Sequence, residues 1–142
     1  MGASIIAYWP GITEDQMESQ PGFWNDDRAW GNFMAEGEDP ALQAAVRRLG
    51  ADAILTMKTD GWDDEDVNWV TPVQLRAAAQ KLRDAINAGS PETDAILKCY
   101  ERGANKIDPV AQEFVRDLDD IIALTKWGEE QGAARMTLEV NW

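Results

Sequence analysis

The stretch TDGWDDEDVNWV, residues 59–70, separates two parts of the chain that are built differently. Residues 53–59 before it are apolar and strand-like, and Thr71-Pro72 after it is a typical helix start. Five carboxylates lie between Asp60 and Asp66, and charges this dense cannot be buried without partners. The stretch therefore predicts a surface loop between a strand and a helix. The loop must face water, a cation or a basic partner.

Tryptophans frame this acidic loop and a second, earlier acidic stretch. Trp62 and Trp69 flank the first stretch. Trp24 and Trp30 flank the second in a similar way, around two aspartates. Indole rings favour burial, and they are also enriched at interface hot spots. Two interpretations remain open: solvated turns held down by core tryptophans, or a recognition surface. The candidate partner-binding residues are Trp24, Asp26, Asp27, Trp30, Asp60, Trp62, Asp63, Asp64, Asp66 and Trp69.

A calcium site is the rival interpretation of the acidic loop. An EF-hand needs acidic residues at loop positions 1, 3 and 5 and a glycine at position 6. A loop that starts at Asp60 puts Trp62 at the third position and Glu65 at the sixth, so the spacing fails. We therefore predict no metal and no cofactor.

Pairs of a capping residue and a proline predict where most helices begin. The capping oxygen accepts a hydrogen bond from an unpaired amide, and proline lacks the amide that the first helical position would leave unpaired. The pairs are Asp39-Pro40, Thr71-Pro72, Ser90-Pro91 and Asp108-Pro109. They predict helices over 41–49, 72–88, 91–102 and 109–131, and periodicity predicts another over 25–36.

Apolar runs over 4–9 and 53–59, and alternating apolar and polar residues over 134–142, predict strands. The order of elements predicts an α+β fold in one domain, residues 1–142. We expect a small sheet of three or four strands packed by about five helices.

The charge of the chain limits its partners. The net charge is −13, with −10 in residues 1–70 and −3 in residues 71–142. This excess argues against direct binding to nucleic acid or to an anionic membrane, and favours a basic protein partner or simple solubility. No run approaches the ~18 apolar residues of a membrane span. The absence of a signal-like start and the single cysteine predict a cytoplasmic protein.

Catalytic groups are scarce. The chain has no histidine, and Cys99 stands alone at helical spacing with Ile96 and Tyr100, which predicts a core thiol. No glycine-rich phosphate loop is present. Carboxylate pairs such as Asp26 with Asp27 could exchange protons, but nothing in the sequence isolates them from water. We therefore predict a non-enzymatic protein.

From Trp69 onward the layout resembles the YfbM-like proteins, a family of small bacterial proteins with no established activity. The shared features are residues 69–75 opening a helix, a second helix with a capping residue and a proline, a long helix through 117–122, and a strand after 129–133. The N-terminal half departs from that layout. The resemblance implies a compact α+β fold and no site residues.

Three functions are consistent with these features. The leading hypothesis is an acidic protein-binding module, such as an immunity or antitoxin-like inhibitor that covers a basic site on a partner, for example a toxin. The alternatives are a small-molecule-binding domain with a tryptophan-lined cleft and a DNA-mimicking inhibitor. The sequence predicts neither the partner's identity nor the oligomeric state.

Overall fold

Short strands and intervening helices make up the fold in the computed structural model, which describes residues 4–23, 30, 39–55, 58–59, 69–101 and 107–141. The helices are α1 (Glu14–Met17), α2 (Pro40–Arg48), α3 (Pro72–Asn87), α4 (Thr93–Glu101) and α5 (Val110–Glu130), with a 3-10 helix at Asp52–Leu55. The strands are β1 (Ser4–Tyr8), β2 (Lys58–Thr59) and β3 (Thr137–Asn141). This mixture of helix and strand is the predicted class. The predicted helix over 25–36 lies outside the described residues, apart from Trp30.

The sheet is smaller than the sequence predicts. Strands β1 and β3 pair antiparallel over their full length, with Ile6 opposite Glu139. Beyond that pair, the described residues add only Lys58 and Thr59 to the sheet, parallel to β3 on its other side. One antiparallel pair thus carries almost all of the pairing, which does not support the predicted sheet of three or four strands over 4–9, 53–59 and 134–142.

The strand predicted over 53–59 is lost at its start because Asp52–Leu55 form a 3-10 helix. The Ile54 amide donates to the carbonyl of Ala51 at 3.0 Å, and the Ile54 side chain is fully buried. A tight turn thus buries the apolar side chain without a strand partner. A short apolar run fits either solution, so periodicity alone does not separate them.

Two of the four predicted helix caps form as expected. The Asp39 carboxylate accepts hydrogen bonds from the amides of Ala41 and Leu42, at 2.8 Å and 3.1 Å. Thr71 and Gln74 make a reciprocal capping box, in which each side chain accepts the backbone amide of the other residue. These caps fix the starts of α2 and α3.

The other two predicted caps are wrong. Helix α4 begins at Thr93, whose amide and hydroxyl both donate to the carbonyl of Ser90, so Ser90 acts through its backbone. At α5 the Asp108 carboxylate pairs with Arg116 instead of an amide. Glu113, from inside the helix, accepts the amides of Ile107 and Asp108 at 3.1 Å and 3.4 Å. A longer side chain has displaced the local cap.

The core lies where α3 packs along α5, and buried residues of β1 and β3 belong to the same cluster. The apolar stripe of α3 is buried, namely Leu75, Ala79, Leu82 and Ile86. On α5 the acidic residue Asp117 is also buried, with only 1% of it accessible. The Tyr100 hydroxyl donates to its Oδ2, so the carboxylate is buried together with a hydrogen-bond donor.

A pair of tryptophans fastens the segment after β1 to the end of α5. The rings of Trp9 and Trp127 meet edge to face, with centroids 5.5 Å apart. Their indole nitrogens donate to Gln20 at 2.6 Å and to Ser19 at 3.0 Å. Gly128 lies directly under the Trp9 ring, where any Cβ would overlap it. Both tryptophans are buried.

Among the described residues, none of the helices combines the length and the apolar composition needed to cross a membrane.

Candidate functional site

The structure describes only Trp30 and Trp69 of the predicted partner-binding residues. Outside the described residues lie Trp24, Asp26, Asp27, Asp60, Trp62, Asp63, Asp64 and Asp66. Only 1% of Trp30 is accessible. The centroid of its ring lies 5.6 Å from that of Phe114 and 6.3 Å from that of Tyr100. Its indole is therefore part of the core and does not lie on the surface.

Trp69 is half-buried and lines a cleft. The guanidinium carbon of Arg135 lies 4.6 Å from the centroid of its ring, within the range of a cation–π contact. The next residue, Val70, exchanges two backbone hydrogen bonds with Met136, at 3.0 Å and 2.7 Å. Trp69 is thus attached to the end of the sheet and held on one side by a cation.

The cleft lies between α2, the 3-10 helix and the first half of α3, and its volume is about 610 Å³. Pockets for small molecules commonly span ~300–1,000 Å³, so this one is large enough for a ligand. Its apolar lining comes from Ala53, Leu55, Val70, Ala77 and Ala78. Its polar lining comes from Gln43, Arg47, Asp52, Gln74 and Lys81.

The turn at Gly50 shapes one wall of this cleft. Gly50 has φ +70°, a conformation that favours glycine, and its amide donates to the carbonyl of Arg47 at 2.9 Å. The Lys81 ammonium donates to the Gly50 carbonyl at 3.4 Å. A Cβ on Gly50 would lie only 3.1 Å from that ammonium nitrogen. Glycine therefore permits both the turn and the approach of Lys81.

The charges of the cleft differ from those of the whole chain. Arg47 and Lys81 form no ion pair with any residue in the described ranges, and Asp52 is the one carboxylate among the lining residues. The described lining residues thus carry one positive charge in excess, while the chain as a whole carries −13. An anion in the cleft would meet two cations that have no ion-pair partner among the described residues.

Groups suited to covalent or metal chemistry do not converge in the described part of the chain. No cluster of three or more His, Cys, Asp or Glu side chains that could hold a metal occurs there. Cys99 is buried, as predicted; burial, and then the charge of Asp39, raise the pKa of its thiol. A buried thiol with a raised pKa is a poor nucleophile.

No protein-family model, curated protein or solved structure matches this chain. The resemblance to the YfbM-like proteins therefore stays a prediction.

The cations of the cleft were missed by sequence reasoning, which concentrated on acidic residues. One signal was present: Arg47 and Arg48 are adjacent cations in a half of the chain that holds only four bases. Lys81 carried no such signal, since it lies in an ordinary helical pattern and reaches the cleft because α2 and α3 both pack against the 3-10 helix.

Proposed function

We propose that this chain is a non-enzymatic binding protein that holds a small molecule in the cleft beside Trp69. The observation that carries the proposal is the cleft itself: a volume of about 610 Å³ lined by an indole, by apolar side chains and by a similar share of polar surface. Concavities of this size that combine aromatic and apolar side chains with polar groups are the usual form of ligand sites.

The packing of Trp69 supports binding of a planar group. Because Arg135 covers the ring and Val70 is bonded to Met136, the indole is ordered before any ligand arrives. Preorganised groups lose little freedom on binding, and aromatic stacking adds about 0.5–1.5 kcal/mol beyond the area buried. The small side chains of Ala77 and Ala78 leave room for a ring beside Trp69.

A ligand screen on matched variants tests the proposal. Ala77→Leu fills the cleft, and Ala123→Leu makes the same change at an exposed position of α5 outside the lining. We expect a molecule from a metabolite panel to raise the melting temperature of the wild type and of Ala123→Leu, but not of Ala77→Leu. The same molecule should quench tryptophan fluorescence less in Trp69→Phe. Equal shifts in both leucine variants would contradict the assignment.

A second function, an acidic protein-binding module that covers a basic site on a partner, is favoured by the charge. The exposed carboxylates of Glu14 and Asp15 on α1, and of Glu18 just after it, form no ion pair within the described residues, and the net charge is −13. Charge of one sign steers an oppositely charged protein towards it. An immunity or antitoxin-like inhibitor in the cytoplasm is the form of this function that we propose.

Charge reversal tests this second function. A basic partner captured by the wild type should be lost from Asp63→Lys/Asp64→Lys, and its affinity for the wild type should fall as salt rises. The matched control is Glu14→Lys/Glu18→Lys, at the start of α1 and just after its end. It makes the same change in net charge outside residues 60–66. If both double variants weaken binding equally, the acidic loop is not the specific contact.

A further inference from the structure

Arg47 and Lys81 are two cations that line the same cleft. They do so in a chain that has twice as many acidic as basic residues, 26 against 13. Most described arginines sit beside a carboxylate: Arg76 pairs with Glu129 at 2.6 Å, and Arg83 pairs with Asp119 at 3.1 Å. Arg47 and Lys81 have no such partner among the described residues. Other described cations such as Lys126 also lack one, but these two lie together in the lining of the cleft.

The hydrogen-bonding groups of the cleft are mainly donors. The Lys81 ammonium makes one long bond, 3.4 Å, to the Gly50 carbonyl, so it can donate two more. The side-chain oxygen of Gln74 accepts a hydrogen bond from the Thr71 amide at 2.9 Å, so the NH₂ group of Gln74 can donate to a ligand. Arg47 is exposed, with up to five N–H donors and no acceptor. A ligand that satisfies these three side chains must supply acceptors.

We propose, on the basis of the small-molecule function above, that the ligand is an organic anion with a planar ring. Its carboxylate or phosphate accepts from Arg47 and Lys81, and its ring lies against Trp69. Charge-assisted hydrogen bonds to such groups are about twice as strong as neutral ones, and arginine suits planar oxyanions. A long polyanion such as nucleic acid is disfavoured, because the net charge of −13 repels it beyond the cleft.

Calorimetry with paired probes tests this inference. The anions are adenosine 5′-monophosphate and indole-3-carboxylate, the neutral counterparts are adenosine and indole, and inorganic phosphate reports the anion site alone. The variants Arg47→Met and Lys81→Met each remove one charge from the cleft. Lys126→Met is the matched control, because Lys126 is an exposed cation on α5 outside the cleft lining.

We expect at least one anion to bind the wild type about tenfold or more tightly than its neutral counterpart. Arg47→Met and Lys81→Met should each weaken that anion by about tenfold, and Lys126→Met should leave its affinity unchanged. The phosphate and carboxylate arms show which oxyanion is preferred. Raising the salt concentration should weaken the anion and leave the neutral probe unaffected.

The outcomes separate a failure of the charge inference from a failure of the small-molecule function. If a neutral probe or a neutral panel molecule binds as tightly as the anions, and Ala77→Leu abolishes its binding, the charge inference is overturned while the small-molecule function stands. If Lys126→Met weakens the anions as much as Lys81→Met does, the effect is one of net charge and the inference is also overturned. If no probe and no panel molecule shows binding sensitive to Ala77→Leu, both proposals are overturned.

Discussion

Gly128→Ala tests whether the Trp9 ring packs against Gly128 of α5 as closely as the structure indicates. In an exposed helix interior this change would stabilise the protein by about 1 kcal/mol, because alanine has the higher helix propensity. Here the new Cβ would lie less than 3.0 Å from two ring carbons of Trp9, Cζ3 and Cη2, and 3.2 Å from a third. Relaxed carbon–carbon contacts are ~3.5–4.0 Å apart, so the ring must move.

Trp9 has little room to move. Its indole nitrogen donates to Gln20 at 2.6 Å, and its ring meets Trp127 edge to face. Overpacking of this kind costs about 1–3 kcal/mol, which offsets or exceeds the helix gain of about 1 kcal/mol. We therefore expect Gly128→Ala to lower the free energy of unfolding, with a net loss of up to about 2 kcal/mol.

Urea unfolding, followed by far-ultraviolet circular dichroism, measures that loss. A double-mutant cycle with Trp9→Leu assigns its cause, since the clash needs the indole ring. In the Trp9→Leu background, Gly128→Ala should be neutral or stabilising by up to about 1 kcal/mol. A single variant as stable as the wild type, or a loss of the same size in both backgrounds, would refute the reasoning.

Three further predictions concern caps and buried groups. Thr71→Ala should lower the free energy of unfolding by about 1 kcal/mol, because the capping box with Gln74 needs the hydroxyl. Thr71→Ser keeps a hydroxyl and should retain most of the wild-type stability; urea titration checks both variants. Tyr100→Phe should cost about 1.5–3 kcal/mol in the same assay, because the buried Asp117 carboxylate loses a donor. Burial and the charge of Asp39 raise the pKa of the Cys99 thiol, so the unfolded chain loses this proton at a lower pH than the folded protein. The stability that Cys99 contributes is thus complete below the unfolded pKa and is lost as pH rises, and the wild type should lose stability relative to Cys99→Ala as pH rises above about 8.5, the usual pKa of a thiol; a constant difference would contradict this.

Local signals in the sequence predicted local structure well. The starts of α2 and α3 follow from Asp39 and Thr71, whose capping atoms and target amides lie within one turn of chain. Prediction failed where a residue further away competed. At α5, Arg116 takes the Asp108 carboxylate and Glu113 takes the amides, and neither competitor is adjacent to the proline.

The cleft could not be predicted because it has no local sequence pattern. Arg47 and Lys81 come from separate helices, and the Gly50 turn brings them to one wall. Trp69 was identified as a candidate, but from the acidic residues before it and not from the cleft that it lines. Without knowledge of how α2 and α3 pack, the two cations look like ordinary solvated side chains.

The position of β3 between β1 and β2 has a consequence during translation. Because synthesis proceeds from the N-terminus, β1 leaves the ribosome long before the strand with which it pairs has been made. Until Thr137–Asn141 emerges, the backbone groups of β1 that will bond to it lack those partners, and such unpaired strand edges invite aggregation. The helices can form earlier, since their hydrogen bonds are local, but the sheet closes only when the last strand emerges. Nascent chains stalled before Thr137 should therefore be the species that chaperones bind.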